Sequence, residues 1–344
     1  MDFDVLVSKL VLNVAIMFVM MVPGIILKKF NMIPEGFGKG VSNLVLYIAQ
    51  PALILFAYLD CNDRDILVDS LVILLLSIIA HAIFALVAIP VFSKAPDGKK
   101  RLLRLATIFG NAAFMGVPLV SAIYAGTPYA GRATIYASIY NFTFNIFLWS
   151  LGVFICTDKR DDNRDGILDP HIIEKKKSAS FMKAVYHPVT VAALIGIIAV
   201  VFDLKNAAPA IFGDSSLLND SLDSLRALVA PLSMLVIGIR LADMNFKGFF
   251  NDKYMYICLG LRHIALPVAV IGVTVLLRLI GLPVRDEVLI VTVILAATPS
   301  ASSATMFAEK FDCDATYVSR LVAASTILSI GTMPLILLLT SLFT

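Results

Sequence analysis

The chain has 344 residues, of which 59% are apolar and 15% charged, with a net charge of +3 and a mean hydropathy of +0.89. Soluble domains sit near 45–50% apolar and about 25% charged, so these values exclude a soluble globular fold and point to a polytopic membrane protein in a lipid bilayer. The net charge says little, since its distribution among loops is the informative quantity; no nucleic-acid partner is expected.

Asp2 and Asp4 precede the first apolar run without a basic segment, so the first span is expected to stay in the membrane rather than be cleaved. About 20 apolar residues cross the hydrocarbon core. That ruler predicts ten spans: 8–27, 40–59, 66–92, 102–125, 133–156, 184–203, 223–242, 254–280, 286–308 and 316–342. The third and eighth are long enough to tilt or project. Residues 158–183 form the only extended polar stretch and read as a linker between two halves, 1–157 and 184–344. Loops after the odd-numbered spans hold 20 of the 28 Lys and Arg, among them Lys28, Lys29, Lys99 and Lys175; seven lie on the opposite side. The bias places both termini outside and the linker in the cytoplasm.

Two spans are interrupted. The first contains Phe109-Gly110-Asn111-Ala112-Ala113-Phe114-Met115-Gly116-Val117-Pro118, the second Ala297-Thr298-Pro299-Ser300-Ala301-Ser302-Ser303. Proline removes an amide donor and clashes with the preceding turn, and glycine supports helix poorly. Interrupted backbone at membrane depth survives only where protein or a cavity satisfies it, and paired breaks in two halves mark a transporter's binding site. Pro51 and Pro231, Pro118 and Pro299, and His81 and His263 recur 180 to 182 positions apart. With five spans per half, the second half enters the membrane inverted. The expected fold is therefore all-α: two inverted five-helix repeats with broken, crossing fourth and ninth helices.

Residues 41–56, which include Gln50-Pro51, resemble the second helix of the auxin efflux carrier family, bacterial relatives of the plant PIN-formed carriers. Asn111, Gly116 and Pro118 resemble that family's crossover helix, and Pro299, Ser300 and Ala301 its partner; the plant Asn-Pro-x-Thr-Tyr signature is absent, since Ala112 follows Asn111. The resemblance implies a fold of the bile-acid symporter and sodium–proton antiporter kind. It implies that spans 3–5 and 8–10 move as a transport domain against a scaffold of spans 1, 2, 6 and 7, an elevator. It further implies a homodimer in the cytoplasmic membrane and a small organic anion, such as a dicarboxylate or auxin, as substrate.

Half-helix N-termini offer a carboxylate free amides and a favourable dipole without a buried lysine. The substrate-binding candidates are Gly110, Asn111, Gly116, Pro118, Thr298, Pro299, Ser300 and Ser302, with Asn141 and Asn145 on one helical face and Gln50 facing from the scaffold. His81, His263 and Arg262 are candidates for a proton or charge role, although Arg262 is close enough to its span end to snorkel. The scattered cysteines, Cys61, Cys156, Cys258 and Cys313, suggest neither disulfides nor a metal site. Gly-x-Ser-x-Gly, Gly-x-Gly-Asp and His-Glu-x-x-His are absent, so an intramembrane enzyme is not expected. No cofactor is expected, and the coupling ion, proton or sodium, stays open. The alternatives are a sodium-coupled symporter of the bile-acid type and a non-transporting sensor on the same fold.

Overall fold

A computed structural model describes residues 3–61, 65–96, 98–157, 186–214, 216–242, 252–310 and 313–344; the expected linker lies outside them. The described residues are helical without a β-strand, apart from one isolated two-residue bridge. In order the helices are α1 (Phe3–Lys29), α2 (Phe37–Asp60), α3 (Ile66–Lys94), α4 (Lys100–Ile108), α5 (Ala112–Tyr124) and α6 (Ala130–Cys156). Then follow α7 (Pro188–Val201), α8 (Leu217–Arg226), α9 (Val229–Ala242), α10 (Lys253–Leu279), α11 (Asp286–Ala296), α12 (Ser303–Lys310) and α13 (Thr316–Phe343).

Seven described stretches are long and apolar enough to cross a bilayer: α1, α2, α3, α6, α10, α13 and the composite Pro209–Ala242 that contains α8 and α9. The expected fourth span is α4 plus α5, and the ninth is α11 plus α12. The expected sixth is shorter than read, 14 residues, because Pro188 opens it and Val201 closes it. Serine and aspartate caps set several starts, as the first-turn amides of a helix have no internal acceptor: Ser216 Oγ accepts from Asn219 N, Asp252 Oδ1 from Tyr254 N and Asp314 Oδ1 from Tyr317 N.

Prolines leave a repeated imprint on these helices. A wide π turn occupies Val45–Ala49, Ala112–Gly116 and Leu261–Ala265, each ending two residues before Pro51, Pro118 or Pro267. The ring clashes with the carbonyl four residues back, and widening the turn relieves that clash. Pro118 therefore lies inside a half-helix. The interruption itself is at residues 109–111, where Phe109 is extended (φ −99°, ψ 110°) and Asn111 has ψ 54°, seven residues before the proline expected to cause it.

Exposure sorts the helices. Every residue from Val288 to Ala296 in α11 is buried, as are almost all from Ala133 to Asn145 in α6. A helix apolar all round with no exposed stripe belongs at the centre of a bundle. By contrast α1 exposes Val11, Leu12, Ile16 and Val19, and α7 exposes Leu194, Ile195 and Ile198, faces suited to lipid. Between α1 and α9 the backbones touch: a Cβ on Gly24 would lie 2.3 Å from Leu235 O, and one on Gly238 2.0 Å from Met21 O. Small residues permit this approach, which replaces the hydrophobic driving force that lipid removes.

Candidate functional site

The two interruptions meet through their backbones at the centre of the bundle. Gly110 and Ser300 form an antiparallel bridge, in which Asn111 N donates to Pro299 O at 2.7 Å and Ala301 N to Phe109 O at 2.8 Å. Ser300 Oγ donates to Ala106 O (2.8 Å), and Ser300 N donates to Ser325 Oγ (2.8 Å) on α13. The non-helical backbone of each break is thus satisfied by the other, as a lipid-excluded position requires.

The C-terminal ends of α4 and α11 both point their carbonyls at Arg262. Its Nε donates to Thr298 O at 2.9 Å, and Nη1 to Thr107 O and Ile108 O at 3.3 and 3.5 Å. Nη2 donates to Thr298 Oγ1 at 3.3 Å. The guanidinium also lies over the Phe84 ring, 5.2 Å from its centroid, a cation–π arrangement. Arg262 is 1% exposed; it does not snorkel. The two sequence-predicted glycines have explanations in packing. A Cβ on Gly110 would fall 1.8 Å from Arg262 Nη2 and 2.6 Å from Thr298 Oγ1, and one on Gly116 2.5 Å from Leu295 Cδ2.

Near the N-terminal ends are side-chain donors and acceptors without partners among the described residues. The atoms Asn111 Nδ2, Gln50 Oε1, Asn141 Oδ1 and Ser303 Oγ are all buried and make no hydrogen bond among the described residues. Asn111 stands just before α5 without a side-chain cap hydrogen bond, and Ser303 begins α12. Gln50 reaches the same place from α2, its Nε2 donating to Ala113 O. The next donor along that π turn would be the amide of Pro118, which does not exist; the Gln50 amide stands in for it. Asn145 Nδ2 donates to Asn141 O at 2.9 Å on α6, a helix that packs against this turn. Ser302 is buried at 2% exposure, as are Thr298, Pro299's neighbour Ser300 and Asn111 itself. Residues 109–118 and 297–302 are all buried, and Ser303 beside them is half-buried.

The two membrane histidines are placed differently. His81 is stacked on Phe147 (5.2 Å) and near Tyr140 (5.2 Å). Its Nδ1 faces Ser77 O at 2.8 Å; a carbonyl only accepts, so Nδ1 carries the hydrogen. His263 bridges Ser325 Oγ (2.8 Å) and Thr332 Oγ1 (3.0 Å), which ties it to the crossing through Ser300. A separate cavity, lined by Tyr124, Tyr129, Asp286 and Glu287, lies at the far end of α5 and carries two carboxylates, the wrong sign for an anion.

Two polar clusters escaped the sequence reading. Asp69 on α3, 2% exposed, accepts from Tyr136 OH on α6 at 2.5 Å and from Arg285 Nε, just before α11, at 3.3 Å. Asp252, just before α10, accepts from Tyr317 OH on α13 at 3.1 Å and from Lys99 Nζ, just before α4, at 2.7 Å. Each joins an aspartate and a tyrosine of one half to a cation of the other. Tyr136 and Tyr317 are 181 positions apart, as are Pro118 and Pro299, a signal that was present in the chain.

Apolar helices interrupted at a shared, buried polar crossing are the architecture of a membrane transporter. The chain belongs to the membrane transport protein family, the auxin efflux carrier family, whose family model matches residues 9–337. An uncharacterized transporter of Methanothermobacter thermautotrophicus is 26% identical to it over 319 residues, 92% of this chain and 94% of the relative.

Proposed function

We propose that the protein is a secondary active transporter of a small organic anion, a mono- or dicarboxylate, which binds where the N-terminal ends of α5 and α12 face one another. The observation that carries this reading is the set of buried, unpartnered polar atoms at that place, Asn111 Nδ2 and Ser303 Oγ above all. A buried polar group without a partner costs about 1–3 kcal/mol, and a ligand carboxylate would supply the missing acceptor. First-turn amides and the positive half-helix ends add about +0.5 charge each. Gly110, Gly116, Pro118, Thr298, Pro299, Ser300 and Ser302 shape the crossing, and Asn141, Asn145 and Gln50 close it from α6 and α2.

The crossed pair of Asp–Tyr–cation clusters supports two inverted halves, 1–157 and 184–344, within a ten-helix fold. Residues 109–118 and 297–302 are buried, so in this reading the ligand reaches them when one group of helices moves past the other, as an elevator does. In this reading α1, α2, α7 and α9 are the scaffold and the dimer surface. The termini lie outside the cytoplasmic membrane and the 158–183 linker inside. The test is reconstitution in liposomes with counterflow of labelled mono- and dicarboxylates. Saturable exchange of at least one carboxylate, absent for neutral analogues, is expected; exchange of neutral or cationic solutes only would overturn the anion assignment.

A further inference from the structure

The carbonyl ends of the two half-helices form a cation site, and the chain fills it itself. Four acceptors converge on one guanidinium: Thr107 O, Ile108 O, Thr298 O and Thr298 Oγ1. They come from the C-terminal ends of α4 and α11, each equivalent to about −0.5 elementary charge. Two such ends sum to about −1, the complement of one monovalent cation. No carboxylate is among the hydrogen-bond or ion-pair partners of Arg262 among the described residues. An unpaired charge at this depth is costly, so its compensation must come from those dipoles and from the Phe84 face. Gly110 is matched to the occupant, since any side chain there would overlap the guanidinium.

We infer that Arg262 is a tethered cation occupying a monovalent cation site at the crossing, so that the two half-helix ends are neutralised without a dissociable alkali ion. The inference rests on this geometry alone and is independent of which solute the protein carries. Half-helix C-termini and unwound carbonyls are the groups that hold sodium in other broken-helix transporters. Here a second positive charge among the same carbonyls would face repulsion from the guanidinium at contact distance, which excludes sodium from that position. Removing the side chain should leave a carbonyl-lined cavity that accepts a small free cation, best a planar one with several donors.

The experiment follows thermal melting of the purified full-length protein in mild detergent, with sodium, potassium, guanidinium or choline chloride added at about 10 mM, low enough that any gain reflects site binding. Wild type should melt at the same temperature in all four salts. Arg262→Ala should melt lower and be restored in part by guanidinium, with a smaller gain from sodium or potassium and none from choline. A sodium- or potassium-specific rise in wild type overturns the inference, as does a folded Arg262→Ala indifferent to guanidinium. If Arg262→Ala cannot be purified, the comparison of Arg262→Lys with Arg262→Met decides: the lysine keeps the charge and should fold, melting below wild type but above the methionine. Methionine melting at or above lysine shows that packing, not charge, is what the site requires, and refutes the tethered cation.

Discussion

Gly110→Ala perturbs the crossing at its tightest point. The added methyl carbon would sit 1.8 Å from Arg262 Nη2, 2.7 Å from Arg262 Cζ and 2.6 Å from Thr298 Oγ1. The tip of an arginine usually yields cheaply, but this one is 1% exposed and bound to four acceptors on two helices. Displacing the fork by about an ångström breaks the bonds to Thr107 O and Ile108 O, already 3.3 and 3.5 Å long, and strains the other two. Charge-assisted bonds are worth about 1.5–3 kcal/mol each, and stranding a buried charge costs about 3–5 kcal/mol. A destabilisation of about 3–5 kcal/mol follows, or a fall in melting temperature on the order of 5–10 °C for a chain of this size. The control is Gly260→Ala on α10, where a Cβ meets nothing within 4 Å and the better helix former should be neutral or slightly stabilising, by up to about 1 kcal/mol. Detergent melting of both variants is the assay. Equal melting temperatures for the two would refute the account of Arg262 as wedged against Gly110.

Three further outcomes are expected. Tyr136→Phe should cost more than Tyr317→Phe, roughly 2–3 against 1 kcal/mol, because Asp69 is 4% exposed at its side chain and Asp252 12%; melting curves that rank them in reverse contradict this. The Asp252 carboxyl lies outside the membrane span. Partial burial pushes its pKa up, but hydrogen bonds from Lys99 and the Tyr254 amide outweigh that and hold it below the usual carboxylate value. A folded pKa below the unfolded one stabilises at neutral pH, and the benefit disappears as pH falls through the carboxylate range near 4; wild type should therefore lose more melting temperature on acidification than Asp252→Asn. For topology, single cysteines near Asp63 and Asp214, in a background lacking Cys61 and Cys313, should react with an impermeant thiol reagent in intact cells. One near Lys176 should not, and labelling there would reverse the orientation.

Much of the plan was legible because lipid imposes it: apolar length locates helices, and Asn111, Gly110 and Pro299 announce broken backbone. What periodicity could not locate was the break itself. Pro118 looked like the breaker, yet the π turn just before it relieves the clash of its ring and the chain there stays helical. Arg262 was equally opaque, since eight residues into a span is compatible with snorkelling and with burial. Only the convergence of carbonyls from residues 155 and 36 positions away decides between them. The Asp69 and Asp252 clusters were missed because each borrows its cation from the other half, a pairing that no local pattern contains.

The claim at the centre of this account is that an anion accepts from the unpartnered Asn111 Nδ2 at the start of α5, and Asn111→Ala measures it most directly. Among the described residues Asn111 Nδ2 makes no hydrogen bond, so removing it should leave melting unchanged or slightly higher. With a carboxylate identified by counterflow, the variant should bind it about ten- to a hundredfold more weakly, the loss of one desolvated donor worth roughly 1–3 kcal/mol. Equilibrium binding to purified wild type and variant, read beside their melting curves, gives both quantities. Weakened binding with intact melting is the predicted result; wild-type affinity in a folded Asn111→Ala protein would place the anion elsewhere.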